Sequence, residues 1–213
     1  FAFDAIGAGF GALAASVGKG LGFGLLAAVI STQQTAAAAD AAPFILETQA
    51  APAQAPKRAD FDRERASRAT RNVADWVVDS GDNHGMPFVI VDKAEAKVFV
   101  FDARGRLRGA APALLGLALG DDSVPGIGER KLSSIRPEER TTPAGRFVAS
   151  LDRNLRGEEM LWVDYDTAVS MHRVINTNLK ERRPQRLATA TPLDNRISYG
   201  CINVPVQFYE KVL

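Results

Sequence analysis

The chain has 213 residues, of which 46% are hydrophobic and 24% charged, and this fits one globular domain with additional sequence better than two full domains. Its 26 basic and 25 acidic side chains give a net charge of +1, so the charge balance gives no reason to expect a nucleic-acid partner. The single cysteine, Cys201, excludes an internal disulfide, and with two distant histidines it offers too few ligands for a structural metal site.

The first 39 residues have the order of a secretory signal peptide. Lys19 precedes an uncharged apolar run at residues 21–30, and the small residues 36–39 follow. Two alternatives stay open: an apolar packing helix, or an uncleaved membrane anchor if the Gly-rich residues 5–18 also enter the bilayer. Residues 1–39 therefore predict export to the periplasm or cell envelope, with membrane contact only through this segment and only if it is uncleaved.

Two segments follow before the pattern of strands begins. Residues 40–59 are rich in Ala, Pro and Gln, which predicts a flexible linker. Over residues 60–81 the apolar side chains recur near helical spacing, and Gly81 lies where a helix would end. We expect one amphipathic helix there, either docked on the domain or solvated.

From residue 86 onward, short apolar and β-branched runs alternate with turn residues. Strands are predicted at residues 87–92, 96–101, 114–119, 145–151, 160–163 and 169–174. Residues 120–142 are polar and predict a long surface loop. Many short strands with few helices favour a mostly β domain, a sandwich or a barrel-like fold, over residues 86–213.

Cys201 is the first candidate for chemistry. A nucleophilic cysteine needs a base, backbone donors for an oxyanion and partial exposure. Gly200 permits unusual backbone dihedral angles, so the backbone amides of Tyr199, Gly200 and Cys201 can point at one oxygen. The alternative is a small buried apolar side chain without a chemical task.

The base for Cys201 has to be chosen from two histidines. His84 lies in a turn-like stretch between the predicted helix and the first strand, whereas His172 ends a strand-like run upstream of the cysteine. We expect His172 to be the base and His84 to have no catalytic task. The alternative for His172 is a histidine that only forms a hydrogen bond at the end of its strand.

Two motifs resemble a known family. Ser-Tyr-Gly-Cys-Ile-Asn at residues 198–203 resembles the Ser/Thr-His-Gly-Cys-hydrophobic-Asn/Arg signature of L,D-transpeptidase (YkuD-type) catalytic domains. Thr-Pro-Ala-Gly-Arg-Phe at residues 142–147 is similar to the Thr-Pro-x-Gly-x-Phe segment that precedes this signature. The likeness covers about residues 86–213. Tyr199 departs from the usual histidine, and the spacing of 29 positions from His172 to Cys201 (201 minus 172) is longer than in the family.

The resemblance implies a YkuD-like β-sandwich or barrel-like catalytic domain, here with an N-terminal helix and a long active-site insert. It implies a peptidoglycan L,D-transpeptidase that needs no cofactor, forms an acyl-enzyme on a stem peptide and transfers the acyl group to an amine. An L,D-carboxypeptidase or a wall-amide hydrolase of the same fold is the alternative. A cell-wall-binding module without catalysis is the alternative from another functional class.

The resemblance also implies roles for residues at matching positions. Cys201 becomes the nucleophile and His172 the base, with an imidazole that a main-chain carbonyl often orients in this family. Ser198 and Gly200 fall in the active-site turn, which makes them catalytic candidates.

Substrate contacts are predicted for four side chains: Tyr199, Arg173, Arg196 and Asn203. The insert at residues 177–195 carries Lys180, Arg182, Arg183 and Arg186. It is expected to be either a solvated loop or a basic rim that binds stem-peptide carboxylates, because guanidinium groups grip carboxylates bidentately.

Overall fold

The structure, a computed structural model, describes residues 2–6 and 55–213. Apart from residues 2–6, the predicted leader or anchor at residues 1–39 lies outside the described residues, as does most of the predicted linker at residues 40–59. Within the described ranges, no helix combines the length and the apolar character that crossing a bilayer requires. Residues 2–6 and 56–213 belong to one compact unit.

The described residues form a mostly β domain, as predicted. Its α-helices are α1 (Arg68–Ser80), α2 (Arg183–Leu187) and α3 (Val206–Val212). Its strands are β1 (Ala2–Ile6), β2 (Phe88–Asp92), β3 (Lys97–Phe101), β4 (Leu107–Pro112), β5 (Leu115–Gly116), β6 (Gly145–Val148), β7 (Ser150–Arg153), β8 (Glu159–Asp164), β9 (Val169–Arg173), β10 (Arg196–Ser198) and β11 (Ile202–Val204).

The strands of the described residues are arranged in three sheets. The five-stranded sheet has the order β4-β3-β2-β1-β6, and the four-stranded sheet has the order β11-β9-β8-β7. A short pair, β10 with β5, forms the third sheet. Strand β1, which the sequence pattern does not predict, lies parallel to β2 and antiparallel to β6.

Strands β2 and β3 are buried on both faces, and alternate residues serve two different cores. Phe88, Ile90, Phe99 and Phe101 pack with α1 and Phe61 on one face. The valines between them share a second core with residues of the four-stranded sheet, including Leu161, Met171 and Ile202. Because side chains alternate along a strand, α1 and the four-stranded sheet cover opposite faces of these strands.

Helix α1 starts later than predicted. The helix expected over residues 60–81 begins at Arg68, because the Ser67 hydroxyl caps it by accepting the Thr70 N–H at 3.1 Å. Upstream, Asp60 pairs with Arg106 as an isolated β-bridge, and Phe61 packs edge-on against the Phe101 ring. The helix ends at Ser80, with Gly81 in the left-handed conformation, and it is docked rather than solvated.

Two predicted strands differ in extent. The run at residues 145–151 forms two strands, β6 and β7, which belong to different sheets and flank the buried Ala149. Such a run is where the chain crosses between packed sheets. The strand expected at residues 114–119 shortens to β5, whose Gly116 lies directly against the backbone of residues 140–142.

Candidate active site

Parallel pairing of two short strands brings Cys201 and His172 together. Strand β11 lies beside β9, with Asn203 opposite His172 and Ile202 opposite Met171, so Cys201 falls at the entrance of β11 next to β9. The thiol and the imidazole are close enough for each to shift the pKa of the other. The Cys201 Sγ atom also lies 3.7 Å from the Ser170 hydroxyl and 3.6 Å from the Ala168 carbonyl.

A main-chain carbonyl orients the His172 ring, as the resemblance implies. The His172 Nδ1 atom lies 2.7 Å from the Arg173 carbonyl oxygen, and this contact requires the hydrogen on Nδ1. The other ring nitrogen, Nε2, is then left for proton exchange with the thiol. The sequence left the orienting group open, and the structure assigns it to Arg173.

Electrostatics favours the ionised form of the pair. Burial raises the pKa of Cys201, but the hydrogen bond and charge of His172, together with hydrogen bonds from Ser170, lower it below its usual value. Burial lowers the pKa of His172, but the cysteine thiolate and the Arg173 carbonyl raise it above its usual value. These opposite shifts move the two interacting groups towards a thiolate–imidazolium pair.

Buried hydrogen bonds hold the turn that carries Cys201. The Ser198 hydroxyl donates to the Cys201 carbonyl at 2.6 Å and accepts the Gly200 N–H at 3.1 Å. The Thr142 hydroxyl donates to the Gly200 carbonyl at 2.7 Å and accepts the Gly116 N–H at 2.8 Å. These contacts give the two motifs of the sequence one shared task, which is to fix the backbone beside the thiol.

Not every backbone N–H group of this turn is available to bind an oxyanion. The Gly200 N–H is committed to Ser198, which differs from the expectation that three consecutive amides face one oxygen. The N–H groups of Tyr199 and Cys201 take no part in the hydrogen bonds that hold the turn. They are the donors that this turn can offer to a reacting carbonyl.

The structure places Tyr199 in the same cleft as Cys201. Tyr199 and Cys201 both line a small cleft of about 80 Å³, which is closed on its other sides by residues 123–141 and 167–169. The Arg140 guanidinium lies over the Tyr199 ring, 3.9 Å from its centre. The position where the family usually has histidine is therefore filled by a ring that a cation holds at the cleft wall.

Arg173 lies beside His172. It lines a second, larger cleft of about 570 Å³ together with His172 and residues of the β7–β8 hairpin. Its guanidinium stacks on the Tyr209 ring and pairs with Glu210 at 3.3 Å. The Cys–His pair is thus reached from two clefts, one on the thiol side and one on the imidazole side.

Arg196 is not brought to either cleft, in contrast to the predicted substrate contact. Its guanidinium donates to the Lys93 carbonyl at 2.8 Å and lies 3.4 Å from the Gly116 carbonyl. Burial lowers the pKa of Arg196. These contacts tie the β2–β3 turn to β5, which is a structural role.

Two arginines of the insert at residues 177–195 bind groups of the protein itself, which differs from the predicted basic rim. Arg186 donates to the carbonyls of Glu181 and Asp194, and Arg183 reaches Asn203 inside the site at 2.7 Å. Arg182 is exposed. Asn203, predicted to contact substrate, is buried, and its amide nitrogen lies 3.5 Å from His172 Nε2.

Sequence reasoning missed three residues that shape the site. Ser170 lies two residues before His172 on β9 and therefore on the same face, a spacing that was available in the sequence. Thr142 was expected to be a loop residue, and its buried hydroxyl instead holds the Gly200 carbonyl. Arg183 carried no local signal, because only the fold brings the insert to Asn203.

Comparison with known proteins identifies no relative of this chain. No family model, no curated protein and no solved structure matches the chain. The family resemblance therefore depends on the two motifs and on the arrangement that surrounds them.

The loop at residues 120–142 forms one wall of the Cys201 cleft and is held by buried charges. It contains three short 3₁₀ turns. At its start, the buried Lys93 ammonium donates to the Asp121 carboxylate at 2.7 Å and to the Gly120 carbonyl at 2.6 Å. Near its end, Arg130 binds Glu139 through two hydrogen bonds of 2.9 and 3.1 Å.

Glu139 makes the loop sensitive to acid. The hydrogen bond from Arg130, with others from Arg136, lowers the pKa of Glu139 from 4.5 to about 2. Because the folded-state pKa is depressed, the ionised carboxylate adds stability that is present above about pH 4.5 and is lost as the pH falls towards 2. Glu139→Gln is expected to flatten the fall of Tm over this range, measured by thermal unfolding at successive pH values.

A neighbouring glutamate provides the control. Glu138→Gln changes a largely exposed side chain in the same turn, and its profile is expected to follow that of the unmodified protein. A Glu139→Gln profile that falls as steeply with acid as the unmodified one contradicts the role given to this carboxylate.

Proposed function

We propose that this protein is an L,D-transpeptidase of bacterial peptidoglycan, with a YkuD-type catalytic domain and Cys201 as its nucleophile. The observation that carries the proposal is the Cys201–His172 pair, which the pairing of β9 with β11 brings together and in which the Arg173 carbonyl orients the imidazole. Each group also shifts the pKa of the other towards its charged form. Cys201 lies on a turn whose sequence resembles the family signature, and it lines a cleft. A cysteine kept only for packing needs none of these features.

In the first half-reaction, the Cys201 thiolate attacks the carbonyl carbon of the amide that links the L-centre of a diamino acid to a terminal D-alanine. The backbone N–H groups of Tyr199 and Cys201 bind the developing oxyanion. His172 Nε2–H gives its proton to the amide nitrogen, the C–N bond breaks, and D-alanine leaves as the amine. A thioester on Cys201 and a neutral imidazole remain.

In the second half-reaction, an amine of a neighbouring stem peptide attacks the thioester carbonyl and loses its proton to His172 Nε2. The C–S bond then breaks, and the thiolate–imidazolium pair is restored. Two substrates have to approach one acyl carbon from different directions. The clefts on the thiol side and on the imidazole side give room for a donor and an acceptor.

A product analysis with a disaccharide-tetrapeptide substrate tests the proposal. We expect mass spectrometry to find cross-linked dimers and released D-alanine with the unmodified protein, and neither with Cys201→Ala. Tripeptide without dimers identifies water as the acceptor and assigns a carboxypeptidase. Unchanged tetrapeptide under conditions where the thiol is reactive removes the proposal.

Export is part of the proposal, because peptidoglycan lies outside the cytoplasm. Cleavage after residue 39 would also remove strand β1 and leave the edges of β2 and β6 that face it unpaired. The N-terminal sequence of the protein purified from its host's cell envelope distinguishes a processed form from one that keeps β1. A protein found only in the cytoplasm contradicts the substrate class.

A further inference from the structure

Two aromatic side chains extend the face of the four-stranded sheet that carries the catalytic pair. In an antiparallel pair of strands, residues that stand directly opposite point to the same face. Trp162 of β8 stands opposite Ser170 of β9, whose hydroxyl lies 3.7 Å from the Cys201 Sγ atom. His172 follows two residues after Ser170 on β9 and shares its face. Trp162 is therefore the next side chain beyond Ser170, one strand further from the thiol.

Tyr165 continues this face towards the edge of the sheet. Its ring stacks on the Trp162 indole, with centroids 5.0 Å apart and an angle of 16° between the planes. Its hydroxyl lies 3.2 Å from the Ser150 hydroxyl and donates to the Asp152 carboxylate at 3.3 Å, so the ring is held towards β7. Tyr165 is nevertheless 57% exposed. A ring that is stacked and hydrogen-bonded, yet open to solvent, offers a ready apolar surface to a ligand.

The groups around the Tyr165 ring favour a neutral sugar as the ligand. A pyranose has C–H groups on its flat face and hydroxyl groups at its rim, so it matches an aromatic face that is bordered by hydrogen-bond acceptors. Ser150 and Asp152 are exposed at the edge of the ring and supply such acceptors. The Asp152 carboxylate also disfavours an anionic ligand. The amino sugar that carries a peptidoglycan stem is uncharged, because its carboxyl group is amide-linked to the stem.

The distance between the thiol and the Tyr165 ring fits the length of a stem peptide. Neighbouring strands lie about 4.8 Å apart, so the face from β9 to β7 spans about 10 Å. Three residues of a stem separate the cleaved amide from the sugar, and an extended chain of three residues reaches about 10 Å. A stem whose amide lies at Cys201 can therefore place its sugar on the ring. An amine on the ring would lie too far from Cys201 to be the attacking group.

We infer that Trp162 and Tyr165 form a saccharide-binding platform for the amino sugar that carries the donor stem. Tyr165 contacts the sugar, and Trp162 supports the Tyr165 ring by stacking on it. The inference rests on the proposed function, because the stem peptide links the sugar to Cys201. It deepens that function by naming the donor: the protein prefers a stem that is attached to glycan over the same peptide without sugars.

Steady-state kinetics with two donors tests the platform. The donors are a disaccharide-tetrapeptide and the same tetrapeptide without sugars, and the release of D-alanine is measured. We expect Tyr165→Ala to raise KM for the disaccharide-tetrapeptide about tenfold, with a much smaller effect on kcat, because the contact is made equally before and during the reaction. The rise in KM for the free tetrapeptide is expected to be much smaller, because it has no sugar to place on the ring. Tyr165→Phe keeps the ring and is expected to preserve most of the preference.

A control variant and a binding measurement complete the test. Trp76 is 51% exposed but belongs to α1, away from the four-stranded sheet, so Trp76→Ala is expected to leave both KM values unchanged. Calorimetric titration with the peptide-free disaccharide requires no turnover. We expect Cys201→Ala to bind this disaccharide weakly, with a Kd in the millimolar range, and the double variant with Tyr165→Ala to lose the binding.

Equal increases in KM for the two donors in Tyr165→Ala assign the ring to the peptide and overturn the inference, as does an unchanged KM for both. Disaccharide binding that depends on Tyr165, in a protein that releases no D-alanine, removes the proposed function and leaves the platform standing. Release of D-alanine from both donors with equal efficiency, and without an effect of Tyr165→Ala, supports the proposed function and removes the platform.

Discussion

His172→Ala is expected to slow the reaction of Cys201 with iodoacetamide and with acylating substrates by about 100-fold or more at neutral pH. Without the imidazole, burial still raises the pKa of the thiol, and the hydrogen bond and charge of His172, which lower it more than the Ser170 hydrogen bonds do, are gone. The thiolate fraction at neutral pH therefore falls steeply. The rate of alkylation as a function of pH, followed by intact-mass spectrometry, measures this change.

The second histidine supplies the matched control. His84 is exposed and has a positive φ of 48°, so His84→Asn removes the imidazole with a residue that tolerates this backbone conformation. We expect its rate profile to match that of the unmodified protein. If His172→Ala and His84→Asn react alike, His172 is not the base.

Gly200→Ala is expected to lower the free energy of unfolding by about 3 kcal/mol and to abolish acyl transfer. Gly200 has a φ of +132°, and a Cβ atom there would lie 2.8 Å from the Thr141 carbonyl oxygen. Because this contact is with backbone, the turn itself has to move. Any such movement disturbs the Thr142–Gly200 hydrogen bond and displaces the thiol from His172.

Denaturant unfolding measures the loss of stability, and Gly85→Ala is the control. Gly85 also has a positive φ, of +73°, but its added Cβ would meet nothing within 4 Å. Its cost is expected to be about 1 kcal/mol, without an effect on thiol reactivity. Equal costs at the two glycines contradict the close packing proposed for the Cys201 turn.

Local sequence patterns predicted those parts of the fold in which the polarity of each residue indicates whether its side chain is buried. The alternating runs that became β2 and β3 are buried on both faces, and their valines and aromatic residues were visible in the sequence. The start of α1 was wrong because Phe61 contributes to helical spacing, although it packs against Phe101 from a non-helical segment. Strands β10 and β11 have three residues each, too few for any periodicity to show.

The candidate site shows the same difference between what local motifs predict and what long-range packing decides. Cys201 and Gly200 stood in a recognisable motif, His172 was one of only two histidines, and the structure brings the three together. Arg196 was predicted to contact substrate, and Arg183 was expected in a solvated loop or a basic rim. Long-range packing instead sends Arg196 to the Lys93 carbonyl and Arg183 to Asn203. A residue's charge was predictable, whereas the partner that its side chain meets was not.

The most direct test of the proposed acyl-enzyme is intact-mass spectrometry of the protein after incubation with a carbapenem, an acylating β-lactam expected to react with L,D-transpeptidases. We predict one adduct of the carbapenem's mass on the unmodified protein, a much slower adduct on His172→Ala and none on Cys201→Ala. An unmodified protein that alkylates with iodoacetamide but takes up no carbapenem, or a Cys201→Ala variant that still does, would contradict the account.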